Sequence, residues 1–573
     1  MKRENQCINE MIQKMPLEQK IGALLTLGFC GTTPRQHIYD AILKYHCGGL
    51  RLTPSSRLFG SYVDPKTGKN VVNVVDTKGY KAGVNPPSVT PSEYRAILTE
   101  LQKAAQSRPL GLPLHFSFDQ EGGTSADYRF GGVNIFPKPM GLRATGDPKL
   151  AYEAAKAVSQ QSLAVGFNWM HSPVLDVNCE PNNPEIYTRA YSDDAEEIAA
   201  YAEQSCRGFK EAGMIATGKH FPGRGASAQD AHFSIPQIDA DWDTLWNREL
   251  LPYRRLIEKG LLPSIMIAHS IFPALDPDNV ATVSPKILQG LLREKMGFEG
   301  VITTDSMTMG GIALRYGVAN ACAMALEAGA DLVLMKAENS LVGETVDAIR
   351  SFVESGRISM EALDDKVYRV LNLKYEYGMF HAKAEQSAAP ETYIHDARIQ
   401  ALSRLVAKKS VLIQRDADGV FPLGKQEKIL VAEQMTQSPN NIHWHPGMLF
   451  RYCMEGGANV DYLETDFDYT QEDKDALEAN LQQYDTVVIT SYYIRGKNGN
   501  AAYLEELLRN HADKTFILVT NTPYPLSIPK NAHNILLTLA TSPDNIKCAA
   551  KVLYGDMQPE GQYPVRYRMT FED

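Results

Sequence analysis

Residues 219–236, which read KHFPGRGASAQDAHFSIP, bring two histidines, a lysine, an arginine and an aspartate together around a Gly-Arg-Gly turn. The apolar run 214–217 directly before them predicts a buried strand. Charged groups at the end of a buried strand cost free energy unless they are paired or used in chemistry. Within this stretch Asp230 and His232 are separated by one residue, and a carboxylate that orients an imidazole makes an acid/base group suited to neutral pH. The spacing therefore predicts a proton-transfer site.

Three further charged residues follow predicted strands, namely Asp119, Arg189 and Asp305. Taken singly, each aspartate could cap the next helix, and the arginine could belong to a surface ion pair. In a parallel barrel, however, the carboxyl ends of all strands surround one pocket. A carboxylate after the seventh strand would therefore lie in the same pocket as an Asp-His pair after the fifth strand. The sequence has no GxSxG, Walker or HExxH motif and no Cys/His spacing that suits a metal. We therefore predict an active site that uses neither a metal nor a cofactor.

Short apolar runs alternate with longer amphipathic segments up to about residue 380, a pattern that predicts parallel β/α units. Eight alternations favour an α/β fold in which residues 1–380 form a catalytic (β/α)8 TIM-type barrel, with an open doubly wound sheet as the alternative. The active site of a barrel lies at the carboxyl ends of its strands, where the charged residues above fall. The apolar runs are 21–29, 48–52, 114–118, 168–177, 214–220, 264–269, 300–305 and 331–335.

Two segments interrupt this alternation. Residues 53–91 are polar and rich in Gly, Pro, Ser and Thr, which predicts a long insertion on the active-site face. Residues 381–409 begin with a small, polar stretch and are interpreted as a linker. Residues 410–573 alternate again between strands and helices, which predicts a smaller αβα sandwich domain. Its predicted strands are 410–414, 428–431, 486–491, 515–520 and 534–538.

The composition is that of an ordinary globular protein, with 573 residues of which 44% are hydrophobic and 22% charged. A net charge of −10 argues against nucleic-acid binding, and no apolar window reaches the ~20 residues that span a bilayer. The first twenty residues lack the apolar core of a signal peptide, and the eight cysteines are scattered. These observations predict a cytoplasmic protein with no nucleic-acid or membrane partner, and they leave the oligomeric state open.

Several motifs, in order along the chain, resemble those of glycoside hydrolase family 3, in the branch of bacterial β-N-acetylhexosaminidases (β-N-acetylglucosaminidases). DQEGG stands at residues 119–123, KHFPG at 219–223 and the D-x-H pair at 230–232. The segments SPVLDVN at 172–178 and TDSM at 304–307 are also similar to family motifs. The resemblance covers most of the first 415 residues, and it implies a barrel followed by a sandwich domain.

The resemblance implies an exo-acting, retaining hydrolase of terminal β-linked N-acetylglucosamine. In this mechanism Asp305 attacks the anomeric carbon and forms a glycosyl-enzyme intermediate. His232, supported by Asp230, protonates the departing oxygen and then activates water. The expected partner is therefore a carbohydrate, either an oligosaccharide or an aminosugar glycoside.

The resemblance also implies that Asp119, Arg189, Lys219 and His220 form the floor of the −1 sugar site. A carboxylate that neighbouring cations keep ionised suits sugar hydroxyls. His269, which follows the sixth predicted strand, is expected near the site as a substrate-binding residue, and a purely structural histidine is the equal alternative.

Three departures from the family bear on the substrate. Arg224 stands where the family's turn carries a histidine, and this cation on a mobile loop is expected to bind substrate. Thr124 stands where an arginine often follows DQEGG in the family. The insertion 53–91 carries aromatic residues and an arginine that could clamp a larger or anionic aglycone, or it is a solvated insertion or an oligomer contact. A same-family β-glycosidase or glycoside phosphorylase with another −1 sugar, and a non-catalytic sugar-binding protein, are the alternatives.

Overall fold

The fold is described from a computed structural model of the chain. The structure describes residues 3–54, 59–63, 70–74, 89–129, 131–231, 234–336, 340–380, 388–435, 447–495 and 499–572.

Eight parallel strands form the N-terminal barrel. Each strand pairs with its neighbour in the chain, and the first also pairs with the eighth, with Leu25 opposite Val333. A bridge between Thr303 and Leu332 joins the seventh strand to the eighth and closes the ring. The prediction of a TIM-type barrel is confirmed over the open sheet. The strands, first to eighth, are Leu25–Cys30, Gly49–Thr53, His115–Phe118, Trp169–Met170, Ile215–Phe221, Ser264–Ile267, Val301–Thr304 and Val333–Met335.

Each predicted apolar run overlaps one of these strands, because a barrel strand is buried on both faces, under helices on the outside and among the side chains of the other strands inside. The fourth strand is much shorter than its run, which spans 168–177. Its regular pairing ends at Met170, and Pro173 has no N–H to donate to a ladder. A single bridge between Val174 and Lys219 keeps the following segment beside the fifth strand.

Helices surround the barrel and cover its strands. One of the two longest, Ala195–Ala212, begins after the N-cap Asp194 and ends at Gly213, which lies in the left-handed region. The α-helices are Gln6–Lys14, Leu17–Ala23, Gln36–Leu43, Pro91–Gln106, Pro139–Ala144, Pro148–Val165, Ala195–Ala212, Trp242–Thr244, Leu251–Glu258, Gly310–Tyr316, Val318–Ala328, Leu341–Glu354 and Met360–Glu376. Two wider π-helices are Leu245–Glu249 and Lys286–Lys295, and 3-10 turns are Pro109–Gly111, Tyr187–Arg189 and Ala281–Val283.

Two hairpins interrupt the alternation of strands and helices. Gln120–Gly122 pairs with Ser125–Ala126 directly after the third strand. Within the predicted insertion 53–91, Phe59–Val63 pairs antiparallel with Asn70–Val74. Residues 55–58, 64–69 and 75–88 of this insertion lie outside the described residues.

The C-terminal domain contains a six-stranded sheet with apolar clusters on both faces. Val488, Ile517 and Leu536 pack on one face, and Val487 and Leu518 on the other. Helices cover both faces, as the predicted αβα sandwich requires. The strands in spatial order are Leu412–Asp416, Asn534–Leu537, Thr515–Thr520, Thr486–Thr490, Ile429–Met435 and Val460–Asp466. The helices are Met448–Glu455, Gln471–Leu481, Ala501–Asn510 and Pro543–Leu553.

The strand Val460–Asp466 was not predicted. It lies at the edge of the sheet, where six of its seven residues remain at least partly exposed. An edge strand needs few apolar residues, so its sequence VDYLETD carries little apolar signal.

The segment between the two sheets contains helices Pro390–Ile394 and Ala397–Ser410, which lie in the range predicted as a linker, 381–409, except for the last residue of the second helix. Helix Ala397–Ser410 contacts the barrel helix Pro139–Ala144 and also Pro543–Leu553 of the second domain. The boundaries at residues 380 and 410 stay a prediction. No helix among the described residues is long and apolar enough to cross a membrane.

Candidate active site

The candidate site lies at the carboxyl ends of the barrel strands. Asp119 follows the third strand, Lys219 and His220 belong to the fifth, and Asp305 follows the seventh. In a parallel barrel these ends meet on one face, so residues far apart in sequence become neighbours. The structure brings these four together with Arg189, as the sequence predicts.

A buried ionic network forms the floor of the site. Lys219 Nζ lies 2.8 Å from Asp119 Oδ1 and 2.6 Å from Glu121 Oε1. Arg189 donates two hydrogen bonds to the same glutamate, Nε to Oε2 at 2.8 Å and Nη2 to Oε1 at 2.9 Å. Lys219 is only 2% exposed, and charges this deep persist because each is paired. The network holds Asp119 and Glu121 in place.

Arg51 is a member of this network that the sequence analysis missed. It lies in the second strand, is 1% exposed, and forms ion pairs with Asp119 and, at 2.6 Å, with Asp127. The sequence feature that could have identified Arg51 is its position inside the apolar run 48–52, where a charged residue is unusual. A charge at such a position needs a buried partner, and the sequence alone does not identify that partner.

The surrounding cations keep both carboxylates of the floor ionised. Burial by itself would raise the pKa of Glu121, but Arg189 and Lys219 outweigh it and lower that pKa to about 2. Burial is likewise outweighed at Asp119, where Arg51 and Lys219 hold the pKa well below its usual value. The Asp119 side chain is 28% exposed toward the site, so this carboxylate can accept hydrogen bonds from hydroxyl groups.

His220 is neutral and oriented by Asp176. Burial, with Arg224 and Arg189, holds the pKa of His220 well below its usual value. Its Nδ1 lies 2.7 Å from Asp176 Oδ2, so the neutral ring donates there and directs Nε2 toward Arg189 Nη2, at 3.5 Å, and Asp305 Oδ2, at 4.0 Å. Burial raises the pKa of Asp176 to about 6. Asp176 lies within the motif SPVLDVN, and this motif alone did not indicate a role for it.

Asp305 has one carboxylate oxygen fixed and the other directed into the site. The amide of Ser306 donates to Oδ1 at 2.7 Å. Oδ2 lies near His220 and 3.4 Å from Arg224 Nη2. A carboxylate held in this way is available to react at a carbon placed over the floor.

His269 supports the backbone beside Asp305. It is fully buried, with Nδ1 2.7 Å from Thr282 Oγ1 and Nε2 3.0 Å from the carbonyl oxygen of Ser306. Both ring nitrogens thus contact the protein itself. This geometry favours the structural alternative, in which His269 positions the segment that carries Asp305.

Arg224 is buried, in contrast to the cation on a mobile loop that the sequence suggested. Only 2% of it is exposed, its Nη2 lies 2.8 Å from Glu185 Oε1, and its amide donates to Asp176. The next residue must be glycine, because a Cβ at Gly225 would lie 1.9 Å from the carbonyl oxygen of Val177. The turn is packed against the segment after the fourth strand, and it places Arg224 Nη2 3.4 Å from Asp305 Oδ2.

The loop that carries the predicted Asp-His pair is only partly described. His232 lies outside the described residues, whereas Asp230 is half-buried. The amide of Ala231 donates to Glu185 Oε2 at 3.3 Å. Glu185 therefore connects this loop to Arg224, and through it to the surroundings of Asp305.

Lys336, directly after the eighth strand, is a second cation that the sequence analysis missed. Burial lowers the pKa of its ammonium group, as does the nearby Arg51, while Asp119 and Asp305 act in the opposite direction. Lys336 thus adds positive charge on the side of the site formed by the eighth strand. No cluster of three or more metal-ligating side chains occurs in the part of the chain that the structure describes.

Eight parallel strands closed into a barrel, with charged side chains gathered at their carboxyl ends, define the class of TIM-type barrel proteins. The chain belongs to glycosyl hydrolase family 3, since residues 16–373 match the family model described as the glycosyl hydrolase family 3 N terminal domain. This assignment agrees with the motifs in the sequence.

Similar proteins carry related names. Beta-hexosaminidase A of Pseudoalteromonas piscicida is 29% identical over 356 residues, which cover 58% of this chain and 59% of that protein. A beta-N-acetylglucosaminidase/beta-glucosidase of Cellulomonas fimi is 29% identical over 364 residues, 61% and 62% of the two chains. The chain thus spans less than two thirds of the length of these two relatives. A beta-hexosaminidase of Tolumonas auensis is 35% identical over 244 residues, 42% of this chain and 71% of that protein.

A solved structure matches both domains. The glycoside hydrolase family 3 beta-N-acetylglucosaminidase from Paenibacillus aligns with a TM-score of 0.83 and 30% identity, and the alignment covers 97% of this chain and 100% of that one. A beta-glucoside phosphorylase aligns with a TM-score of 0.79 at 20% identity, which is a likeness of fold.

Proposed function

We propose that this protein is a retaining, exo-acting β-N-acetylhexosaminidase that hydrolyses terminal β-linked N-acetylglucosamine. The observation that carries the proposal is the position of Asp305, whose Oδ2 faces the ionic floor 4.0 Å from His220 Nε2. A nucleophile beside a set of hydroxyl-binding charges is the arrangement that retaining glycoside hydrolysis requires. The names of the family relatives support N-acetylglucosamine as the sugar.

In the proposed reaction, Asp305 attacks the anomeric carbon while the glycosidic oxygen leaves with a proton from His232. The product of this step is a covalent glycosyl-enzyme intermediate. His232, now neutral, removes a proton from a water molecule, which attacks the anomeric carbon and releases the sugar with its original configuration. Asp230 stabilises the imidazolium form of His232, which is present before the first step and again after the second. The role of the Asp-His pair rests on the sequence motif.

The −1 sugar is proposed to lie on the floor formed by Asp119, Lys219, His220 and Arg189. Asp119 accepts hydrogen bonds from two hydroxyls, and Lys219 donates to a hydroxyl oxygen while keeping Asp119 ionised. Arg189 acts through Glu121, to which it is bonded twice. His269 is proposed to act on the same site indirectly, as a positioning residue.

The test compares the nitrophenyl β-N-acetylglucosaminide, β-N-acetylgalactosaminide and β-glucoside, each with and without phosphate. We expect the first to have the highest kcat/KM and its released sugar to appear first as the β-anomer by proton NMR. Faster turnover of the glucoside would contradict the assigned sugar. A sugar 1-phosphate formed in phosphate buffer would identify a phosphorylase, and binding of N-acetylglucosamine without turnover of any glycoside would identify a non-catalytic sugar-binding protein.

A cytoplasmic location is also proposed. All eight cysteines are free thiols, and such thiols are typical of a reducing compartment. Titration with a thiol reagent after denaturation without reductant should give eight reactive groups per chain of the natively expressed protein. Fewer reactive groups would contradict this proposal.

A further inference from the structure

A loop of the second domain reaches the barrel beside the candidate site. It follows the strand Thr486–Thr490 and contains Tyr493, whose hydroxyl donates to the carbonyl oxygen of Pro184 at 2.9 Å. The ring of Tyr493 meets the edge of Tyr187 at 5.0 Å with an interplanar angle of 87°. Both tyrosines are buried, so these contacts hold the loop in place against the barrel.

Two residues after this tyrosine, Arg495 stands at the rim of the site. Its Nη1 lies 3.8 Å from Glu185 Oε1, and its side chain is 41% exposed. Glu185 is already bound by Arg224 Nη2 at 2.8 Å, and Arg189 Nη1 lies 3.9 Å away. A separation of 3.8 Å is longer than a hydrogen bond. Among the described residues no other carboxylate lies within 4 Å of Arg495, so its charge is largely available to a ligand.

The surroundings of Arg495 place it on the leaving-group side of the site. Glu185 binds the amide of Ala231, next to Asp230. The charge of Asp230 helps to raise the pKa of Tyr493, after the larger effects of burial and Tyr187. The second-domain loop thus lies beside the loop of the proton-transfer pair, whereas the sugar floor around Asp119 is formed by the barrel strands.

We propose that Arg495 binds a carboxylate on the leaving-group part of the substrate, so that the second domain selects anionic aglycones. This inference rests on the proposed function. A guanidinium group binds a carboxylate with two parallel hydrogen bonds and stays charged at all physiological pH values. Its exposure lets a ligand reach it, and the buried tyrosines hold its backbone. As a structural partner of Glu185 it would contribute little, since half-exposed ion pairs at this distance are weak.

The test uses two N-acetylglucosaminides that differ in one charge, with 3-carboxy-4-nitrophenyl and 3-carbamoyl-4-nitrophenyl as leaving groups. The measured quantity is the ratio of their kcat/KM values in wild type, Arg495→Ala and Arg495→Lys. Comparing this ratio between variants cancels the intrinsic difference in reactivity of the two leaving groups. Arg509→Ala is the matched control, because Arg509 is exposed in the same domain and pairs within its own helix with Glu505.

We expect Arg495→Ala to lower the ratio of carboxylate to carboxamide turnover about tenfold, Arg495→Lys to retain part of the preference, and Arg509→Ala to match wild type. In wild type the preference should also decrease with added salt, because the arginine is partly exposed. An unchanged ratio in Arg495→Ala overturns the inference while turnover of the carboxamide substrate upholds the proposed function. If wild type hydrolyses neither substrate, the proposed function fails and this inference fails with it.

Discussion

The pairing of Arg189 with Glu121 allows one prediction to be worked out in detail. Both side chains are buried, and two of the guanidinium nitrogens lie 2.8 and 2.9 Å from the carboxylate oxygens. Arg189→Ala removes this cation and leaves Glu121 with Lys219, which Asp119 also engages. The variant therefore contains a buried carboxylate that is only partly compensated.

The size of the effect follows from the pKa of Glu121. Burial raises this pKa, but Arg189 and Lys219 lower it overall from its ordinary value of 4.5 to about 2. At about 1.4 kcal/mol for each pH unit, the lowering is equivalent to about 3 kcal/mol of stability at neutral pH. Removing one partner of a buried ion pair typically costs about 3–5 kcal/mol. Because Lys219 remains, we expect a loss of about 3 kcal/mol, equivalent to roughly 4 °C in a barrel of this size.

The loss should depend on pH in a definite direction. Glu121 has a lower pKa in the folded than in the unfolded protein, so its contribution is fully present above about pH 4.5 and disappears as the pH falls toward 2. Thermal unfolding of wild type and Arg189→Ala, followed by circular dichroism at pH 7 and pH 4, measures this. The difference between the two proteins should be larger at pH 7.

Arg207→Ala is the matched control, since Arg207 is half-exposed and pairs with Glu203 one helical turn away, a contact worth about 0.5 kcal/mol at most. The double variant Glu121→Gln with Arg189→Met should recover most of the lost stability, because it leaves no uncompensated carboxylate. The reasoning is refuted if Arg189→Ala unfolds within about 1 °C of wild type, or if Arg207→Ala loses as much.

Three further predictions concern catalysis. Asp305→Ala should abolish turnover of nitrophenyl N-acetylglucosaminide and Asp305→Gly should trap no glycosyl adduct by mass spectrometry; a near-normal rate in either would exclude Asp305 as the nucleophile. His232→Ala should hydrolyse the intermediate slowly and be partly rescued by azide, whereas unchanged activity without rescue would place the acid/base elsewhere. Because burial raises the pKa of Asp176 to about 6, kcat/KM should fall below pH 6 as this acceptor for His220 becomes protonated. An acidic limb that persists unchanged in Asp176→Asn would disprove that assignment.

Local patterns in the sequence were sufficient for most of the architecture. A barrel strand is buried on both faces, by helices outside and by other strands' side chains inside, so the eight apolar runs of the barrel could be recognised in the sequence. The same logic failed for Val460–Asp466, which lies at a sheet edge and is mostly exposed. It also overestimated the fourth strand, where the run to residue 177 continued beyond the end of regular pairing at Met170.

Residue types and motifs also predicted which side chains gather at the candidate site. Asp119, Lys219, His220 and Asp305 stand at or just beyond strand ends, and a parallel barrel brings all strand ends to one face. Their common location therefore followed from element order alone. The roles assigned to these residues remain predictions until the variants above are measured.

The sequence by itself determined the class of fold and the residues at the strand ends, because apolar periodicity and motif spacing are local properties of the chain. Only the tertiary structure decided which charges are partners. Arg51 reaches Asp119 across 68 positions of sequence, and Lys219 reaches it across 100. Arg224 is buried against Glu185, and Arg495 arrives from another domain. These ion pairs form only when the barrel closes and the second domain docks onto it. The cost of burying each charge and the gain from pairing it, which together determine the partners, arise only in that folded arrangement.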